Sequence, residues 1–328
     1  MQPSINNVPA IMRDVIEIDA KRDDMTLARP FEYSATVLCK SPRQVQLERR
    51  HKDEIPQGDF FDNWYSFFGN AVHEYLEKKL YNNDKYLVER RLIRFDKPAG
   101  GTEKDYRRVG AKFDAYDKQS KTLYDHKTIT TFMHGKEMKD EWVQQLMINA
   151  YFLEKEGYEV KDCTINAIYC DWRDSRLTYA QPGDYPEAPC AAFSCKAWSM
   201  SDRENLYLRL LKSHVDAENV PDDLLPYCEK DYCWETPPVF AVYRPNATKA
   251  IKLCSSKREA EDYIRFKNLT GDVRIQERAG TRRRCEKYCR VSQFCNQYKD
   301  WLAKHSPSIQ NNAPQKEEPE AEQASEVL

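Results

Sequence analysis

The sequence predicts an α/β fold, a mixed β-sheet flanked by helices, followed by a helical and hairpin accessory region. Three observations carry this expectation. Phe68, Val72, Tyr75, Leu76 and Leu80 recur at helical spacing over 66–81, and Trp142, Leu146, Ile148, Ala150, Phe152 and Leu153 mark a second apolar helix over 140–155. Between them lie segments with strand character, 86–95, 107–116 and 121–128. A further apolar strand follows over 163–172, so the order is helix, three strands, helix, strand, which suits a mixed sheet with helices on its faces.

Taken in order, residues 1–30 read as an irregular lead-in. The core is expected over 31–178. Gly157 stops the second helix, and the polar turn Asp117-Lys118-Gln119-Ser120 joins two strands into a hairpin. Residues 179–189 are loop-like, and a helix over 201–215 is expected to lead away from the core. The accessory region runs over 179–305, with a hairpin about Pro245-Asn246 and a helix over 257–267. Residues 306–328 carry the Pro, Glu, Gln and Ser bias of a disordered acidic tail.

With 328 residues, 32% charged and 41% hydrophobic, the chain has the composition of a globular protein. No apolar run reaches the ~20 residues needed to cross a bilayer, and Met1 to Ala10 lacks a signal-peptide pattern, so a cytoplasmic location is expected. The net charge of −2 does not announce a nucleic-acid partner. Local basic runs, Arg49-Arg50-His51-Lys52, Arg90-Arg91, Arg107-Arg108 and Arg282-Arg283-Arg284, suit either phosphate contact or solvated surface. No phosphate-binding loop, Gly-x-Ser-x-Gly element or dinucleotide fingerprint is present.

The most informative chemistry lies in the hairpin. Asp114 and Asp125 fall near the ends of adjacent predicted strands, where two carboxylates can share a hard cation such as Mg²⁺ or Mn²⁺. Asp125 and Lys127 are two apart and so share a strand face, which sets an ammonium beside the metal and an attacked phosphate. Asp-x-Lys alone is a weak signal and equally suits a solvated surface hairpin. The apolar neighbours Leu123 and Tyr124 make the strand look buried, and a buried strand bearing Asp and Lys calls for a chemical reason.

Gly110, Asp114, Asp125-His126-Lys127-Thr128 and Gln145, in that order, resemble the PD-(D/E)XK nuclease superfamily in its RecB-like, phage-type exonuclease branch. Gly69-Asn70-Ala71-Val72-His73 resembles that branch's metal-site helix, Glu89 its strand acid, and Ser41-Pro42-Arg43 its opening Cys-Pro-Arg element. The resemblance implies a restriction-endonuclease-like core and catalytic roles for Asp114, Asp125, Lys127 and Glu89. It implies metal ligation by His73, Asp114, Asp125 and the backbone carbonyl of His126, and DNA contact by Gln145. The usual tyrosine four residues beyond that glutamine is Asn149 here, with Tyr151 two further on, and both are expected DNA contacts.

The implied activity is metal-dependent phosphodiester hydrolysis, with exonuclease action on DNA ends in recombination, repair or replication. The partners are DNA and a helicase or recombination protein, in a host cytoplasm if the gene is a phage's. The alternative is a non-catalytic nucleic-acid binding module on the same fold.

The chain has 11 cysteines, and Cys285, Cys289 and Cys295 are spaced like metal ligands. The resemblance implies a four-iron, four-sulfur cluster completed by Cys39, which lies two residues before the position the family uses. Zinc, with Cys228 or Cys233 as rival ligands, and metal-free thiols are the alternatives.

Overall fold

The computed structural model describes residues 8–25, 32–56 and 60–305, so the acidic tail expected over 306–328 lies outside them. The chain divides into two compact units, Met1–Cys228 and Glu229–Leu328. In the first unit α1 (Ala10–Met25) is followed by β1 (Tyr33–Ser34), α2 (Ala35–Leu38), α3 (Pro42–Arg50) and α4 (Phe60–Leu80). Then come β2 (Tyr86–Val88), β3 (Arg91–Asp96), β4 (Arg107–Lys112), β5 (Ala115–Asp117) and β6 (Thr122–Ile129). The unit continues with α5 (Asp140–Lys155), β7 (Asp162–Tyr169), α6 (Asp174–Leu177), β8 (Cys190–Lys196) and α7 (Met200–Ala217).

The principal sheet has five strands in the order β2-β5-β6-β7-β8, with β6 and β7 parallel and the other pairs antiparallel. A second, three-stranded sheet has the order β1-β4-β3. This is a mixed α/β architecture with helices packed on the sheets. The core joins Leu123 and Ile165 of the sheet to Leu146, Met147 and Phe152 of α5, all buried. No helix of the described residues is long and apolar enough to cross a membrane.

Four differences from the sequence expectation have physical causes. Residues 10–25, expected to be irregular, form α1 and pack on α4, where Ile16 is buried; tertiary packing supplies what a weakly patterned segment lacks. No strand is expected from the sequence over 190–196, yet β8 closes the sheet edge with an alternating exposed and half-buried pattern, its small side chains giving little apolar signal. The helix over 200–217 does not lead away, since Leu206, Tyr207, Leu211 and Val215 join the same core.

The fourth difference shapes the site. Each of the two long strands expected over 86–95 and 107–116 is interrupted, and the interruptions face each other. Val88 pairs with Ala115 on one side and Arg91 with Lys112 on the other, a single register carried across the break. At the break Glu89 takes a left-handed φ of 50°, and its N–H donates to the Asp114 carbonyl at 3.0 Å. Such a φ is uncommon for a residue with a side chain and points to a constraint set by its surroundings. The hairpin thus serves two sheets and turns between them at Glu89 and Asp114.

In the second unit, β9 (Glu235–Thr236) pairs with β13 (Thr281–Arg282). A three-stranded sheet has β10 (Val239–Tyr243) between β11 (Lys252–Cys254) and β12 (Arg274–Arg278). The helix α8 (Lys257–Phe266) packs on that sheet, and α9 (Arg283–Lys287) and α10 (Asn296–His305) complete the unit. The expected hairpin about Pro245-Asn246 is present, with Asn246 at a φ of 58°.

Candidate active site

The bend in the hairpin opens an edge of β6. The β5–β6 ladder stops at Ala115 opposite Tyr124, so β6 from Asp125 onward has no strand on that side. A buried N–H left by a departing strand needs an acceptor. Asp114 provides it: its Oδ2 accepts from the His126 N–H at 2.6 Å. The Asp114 carboxylate therefore stands in for the missing strand.

On the α4 side of this edge, His73 Nδ1 lies 3.4 Å from Asp114 Oδ2. Gly69, one turn earlier, lets the helix sit close: a Cβ there would meet Thr128 Oγ1 at 3.3 Å. His73, Glu89 and Asp114 each place a possible ligand atom within 4.8 Å of the others. Lys112 reaches across from β4 to form an ion pair with Glu89.

On the α5 side the partners are Asp125, Lys127 and Gln145. Lys127 Nζ lies 2.7 Å from Asp125 Oδ2. Gln145 donates from Nε2 to Asp125 Oδ1 at 2.8 Å, and its Oε1 accepts from Lys127 Nζ at 3.4 Å. His126, between Asp125 and Lys127 on β6, accepts from Asn166 Nδ2 at its Nδ1 over 3.3 Å. Burial holds the His126 imidazole below its usual range, which suits the neutral, accepting ring.

The two aspartates are shifted in opposite directions. Burial pushes the Asp125 carboxyl above its usual range, opposed by Lys127 and reinforced by the negative Asp114. Burial acts on Asp114 in the same direction, but the His73 hydrogen bond and charge, with the His126 N–H, bring it below the usual carboxylate range. Asp125 Oδ2 and Glu89 Oε2 are buried carboxylate oxygens, each ion-paired with a lysine ammonium and hydrogen-bonded to no other group. Buried oxygens in this state suit a bound cation. Two carboxylates and an imidazole nitrogen form a donor set that a divalent cation could occupy.

The structure distributes the sequence-predicted residues as follows. His73, Glu89 and Asp114 come together, and Asp125 joins Lys127 and Gln145. Gln145, expected to contact DNA, orients the Asp125–Lys127 pair. Asn149 is 0% exposed and donates to the Lys112 carbonyl at 3.4 Å; Tyr151 is buried and its hydroxyl donates to Glu204 at 2.8 Å. Neither is placed to touch DNA, because α5 turns both into the core. Cys39 belongs to the first unit and Cys285, Cys289 and Cys295 to the second. The Cys39 thiol donates to the Ala35 carbonyl at 3.2 Å, and burial pushes it up to about 12. Lys112 and Asn166 were missed by sequence reasoning: both are ordinary polar residues on strands, and only the register assigns them a partner.

No family model matches the chain, and no curated protein matches it. Among solved structures, it is similar to the crystal structure of SSO0001, with 15% identity, a TM-score of 0.43, and coverage of 65% of this chain and 89% of that one. It is also similar to an alkaline exonuclease from Laribacter hongkongensis, with 13% identity, a TM-score of 0.31, and coverage of 57% and 89%. A phage-related exonuclease from Haemophilus somnus 129PT shows 10% identity, a TM-score of 0.21, and coverage of 64% and 83%.

Proposed function

We propose that the chain is a metal-dependent deoxyribonuclease that hydrolyses phosphodiester bonds, acting as an exonuclease on DNA ends. The observation that carries this reading is the opened edge of β6, where a His73–Glu89–Asp114 ligand group meets an Asp125–Lys127–Gln145 group. The ordered resemblance of these residues to the RecB-like nucleases supports DNA as the substrate.

His73, Glu89 and Asp114 would hold the cation, with Asp125 and the His126 carbonyl as neighbouring oxygen donors. When bound, the cation supplies Lewis acidity to a phosphate oxygen and lowers the cost of generating the attacking nucleophile from water. The chain's own groups do the rest. Lys127 is partly exposed while Asp125 is buried, so the ammonium can meet a phosphate from solvent while remaining anchored to the carboxylate. There it positions the attacking water and offsets charge developing on the phosphate in the transition state. Gln145 holds both members of the pair, so Lys127 is oriented before substrate arrives.

The test uses purified protein with Mg²⁺ or Mn²⁺ and end-labelled linear or covalently closed circular DNA. Release of mononucleotides or short products from linear DNA alone supports the reading. Cutting of circles indicates an endonuclease. Binding of DNA without cleavage under either metal would replace the enzyme by a binding module.

A further inference from the structure

Past the catalytic groups, β6 and β7 end together at a surface depression of about 640 Å³. Its lining includes Thr131, Phe132, Asp171, Arg176, Tyr179 and Tyr185. Its floor is locked. Both Asp171 oxygens are engaged by Thr131, one by the N–H at 2.6 Å and the other by the hydroxyl at 3.0 Å, which fixes the turn after β6. The far wall is also held: the Tyr185 hydroxyl accepts from the Arg173 N–H at 2.8 Å, and the Trp172 indole donates to the Pro186 carbonyl at 2.8 Å.

The rim, by contrast, is open and aromatic. Phe132 is 73% exposed and Tyr179 is 87% exposed. Cations lie against two of the rings: Lys136 Nζ is 2.9 Å from the Phe132 centroid, and Arg176 Cζ is 5.9 Å from that of Tyr185. Aromatic faces accompanied by positive charge over a fixed floor are what single-stranded nucleic acid binds, by base stacking and phosphate attraction. Asp184 adds a wall carboxylate able to accept from the amino groups of bases. The location fits the same ligand. Thr131 lies four residues beyond Lys127, about 13 Å of extended chain. That is the span of about four stacked nucleotides at ~3.4 Å each.

We propose that this depression is a base-binding subsite, stacking an unpaired nucleobase of the substrate strand within about four nucleotides of the scissile phosphate. Its position relative to the cut rests on the nuclease reading; its affinity for an unpaired base does not.

Phe132→Ala and Tyr179→Ala are compared with the parent and with Tyr81→Ala, an equally exposed aromatic outside the depression. Binding of a fluorescein-labelled single-stranded oligonucleotide is measured with Ca²⁺, and cleavage with Mg²⁺. The two rim variants are expected to bind about tenfold more weakly, with the loss in KM, while Tyr81→Ala binds like the parent. An abasic site is then moved through the first nucleotides beside the cut. At one position it should weaken the parent and erase the difference between parent and rim variants, the signature of a shared contact. Rim variants that bind and cut like the parent, or an abasic scan without such a position, overturn the subsite. If the parent binds DNA but cuts none, the nuclease reading falls, and the binding comparison alone decides the subsite. A parent that binds no DNA overturns both.

Discussion

Two places in the first unit hold charged groups in opposite ways. In the corner where α3 meets the segment after α7, the charged groups are paired with one another or with backbone carbonyls. Arg43, 1% exposed, donates to the carbonyls of Pro226 at 3.2 Å and Asp222 at 3.4 Å, and also to that of Leu225. Arg107 Nη2 lies 2.5 Å from Glu218, which also accepts from Tyr33 at 2.7 Å, and Arg50 Nη1 lies 2.5 Å from Asp222. At the edge of β6, the buried carboxylate oxygens of Glu89 and Asp125 each meet one lysine ammonium and no other hydrogen-bond donor. Saturated polar groups hold the corner together, whereas unsaturated ones cost stability and keep coordination capacity for a ligand. Substitutions in the two places should therefore move different observables.

The largest expected effect is on activity. Asp125→Asn and Lys127→Ala should each lower cleavage by about a thousandfold or more, since each removes a charge that acts on the reacting phosphate or its cation. Because burial already disfavours the Asp125 charge, Asp125→Asn should lose less stability than a substitution of Arg43. Normal cleavage by either variant, or a large drop in Tm for Asp125→Asn, would erase the distinction between the two regions.

Next comes stability. Arg43→Met should cost about 3 kcal/mol, read by urea unfolding, because it strands buried carbonyls. Whatever protein remains folded should cleave with the parent's kcat. A folded but inactive Arg43→Met would make the corner part of the active site.

A pH experiment sharpens the same contrast. His214 is buried against Tyr33, and its Nε2–H donates to the Leu38 carbonyl at 3.2 Å. Burial holds its imidazole down to about 4, from an ordinary 6.5. As pH falls below 6.5 the unfolded chain takes up a proton that the fold refuses. Stability contributed above 6.5 is thus lost between 6.5 and about 4, by roughly 3 kcal/mol in full. Urea unfolding of parent and His214→Leu across that range should show the acid-dependent loss smaller in the variant. Parallel pH profiles would place the His214 proton equilibrium outside folding.

The smallest effect should come from Gly69→Ala. The added methyl presses on Thr128 Oγ1, and a shift of a few tenths of an ångström carries His73 with the helix. A loss of about threefold in rate is expected. Helix propensity favours alanine by up to ~1 kcal/mol, so Tm should hold or rise. Adding Thr128→Ala should restore the rate. A double variant as slow as the single would mean that the Gly69–Thr128 approach does not set the position of His73.

By itself, the sequence determined the main strands and helices of the first unit and the order of its chemical groups. The helix expected over 140–155 is found as Asp140–Lys155. Its apolar period, and the strand run around Leu123 and Tyr124, are local patterns set by side-chain spacing, and they survive without knowledge of the partner elements. Asp114, Asp125 and Lys127 were legible from the predicted hairpin, and Gln145 only from the resemblance to the RecB-like nucleases. What the tertiary structure decided is where those patterns break. Nothing local in Val88-Glu89-Arg90 or Phe113-Asp114 announces that two paired strands turn together into a second sheet, because the turn is imposed by long-range pairing across the hairpin. That turn frees the edge of β6, brings Glu89 to His73 and Asp114, and gives the His126 N–H a carboxylate instead of a strand. The same long-range packing buried Asn149 and Tyr151, drew α7 into the core, and assigned Gln145 to the Asp125–Lys127 pair. Local spacing encodes which face of an element is apolar; only the assembled neighbours decide which polar groups on it are spent and which are left for a ligand.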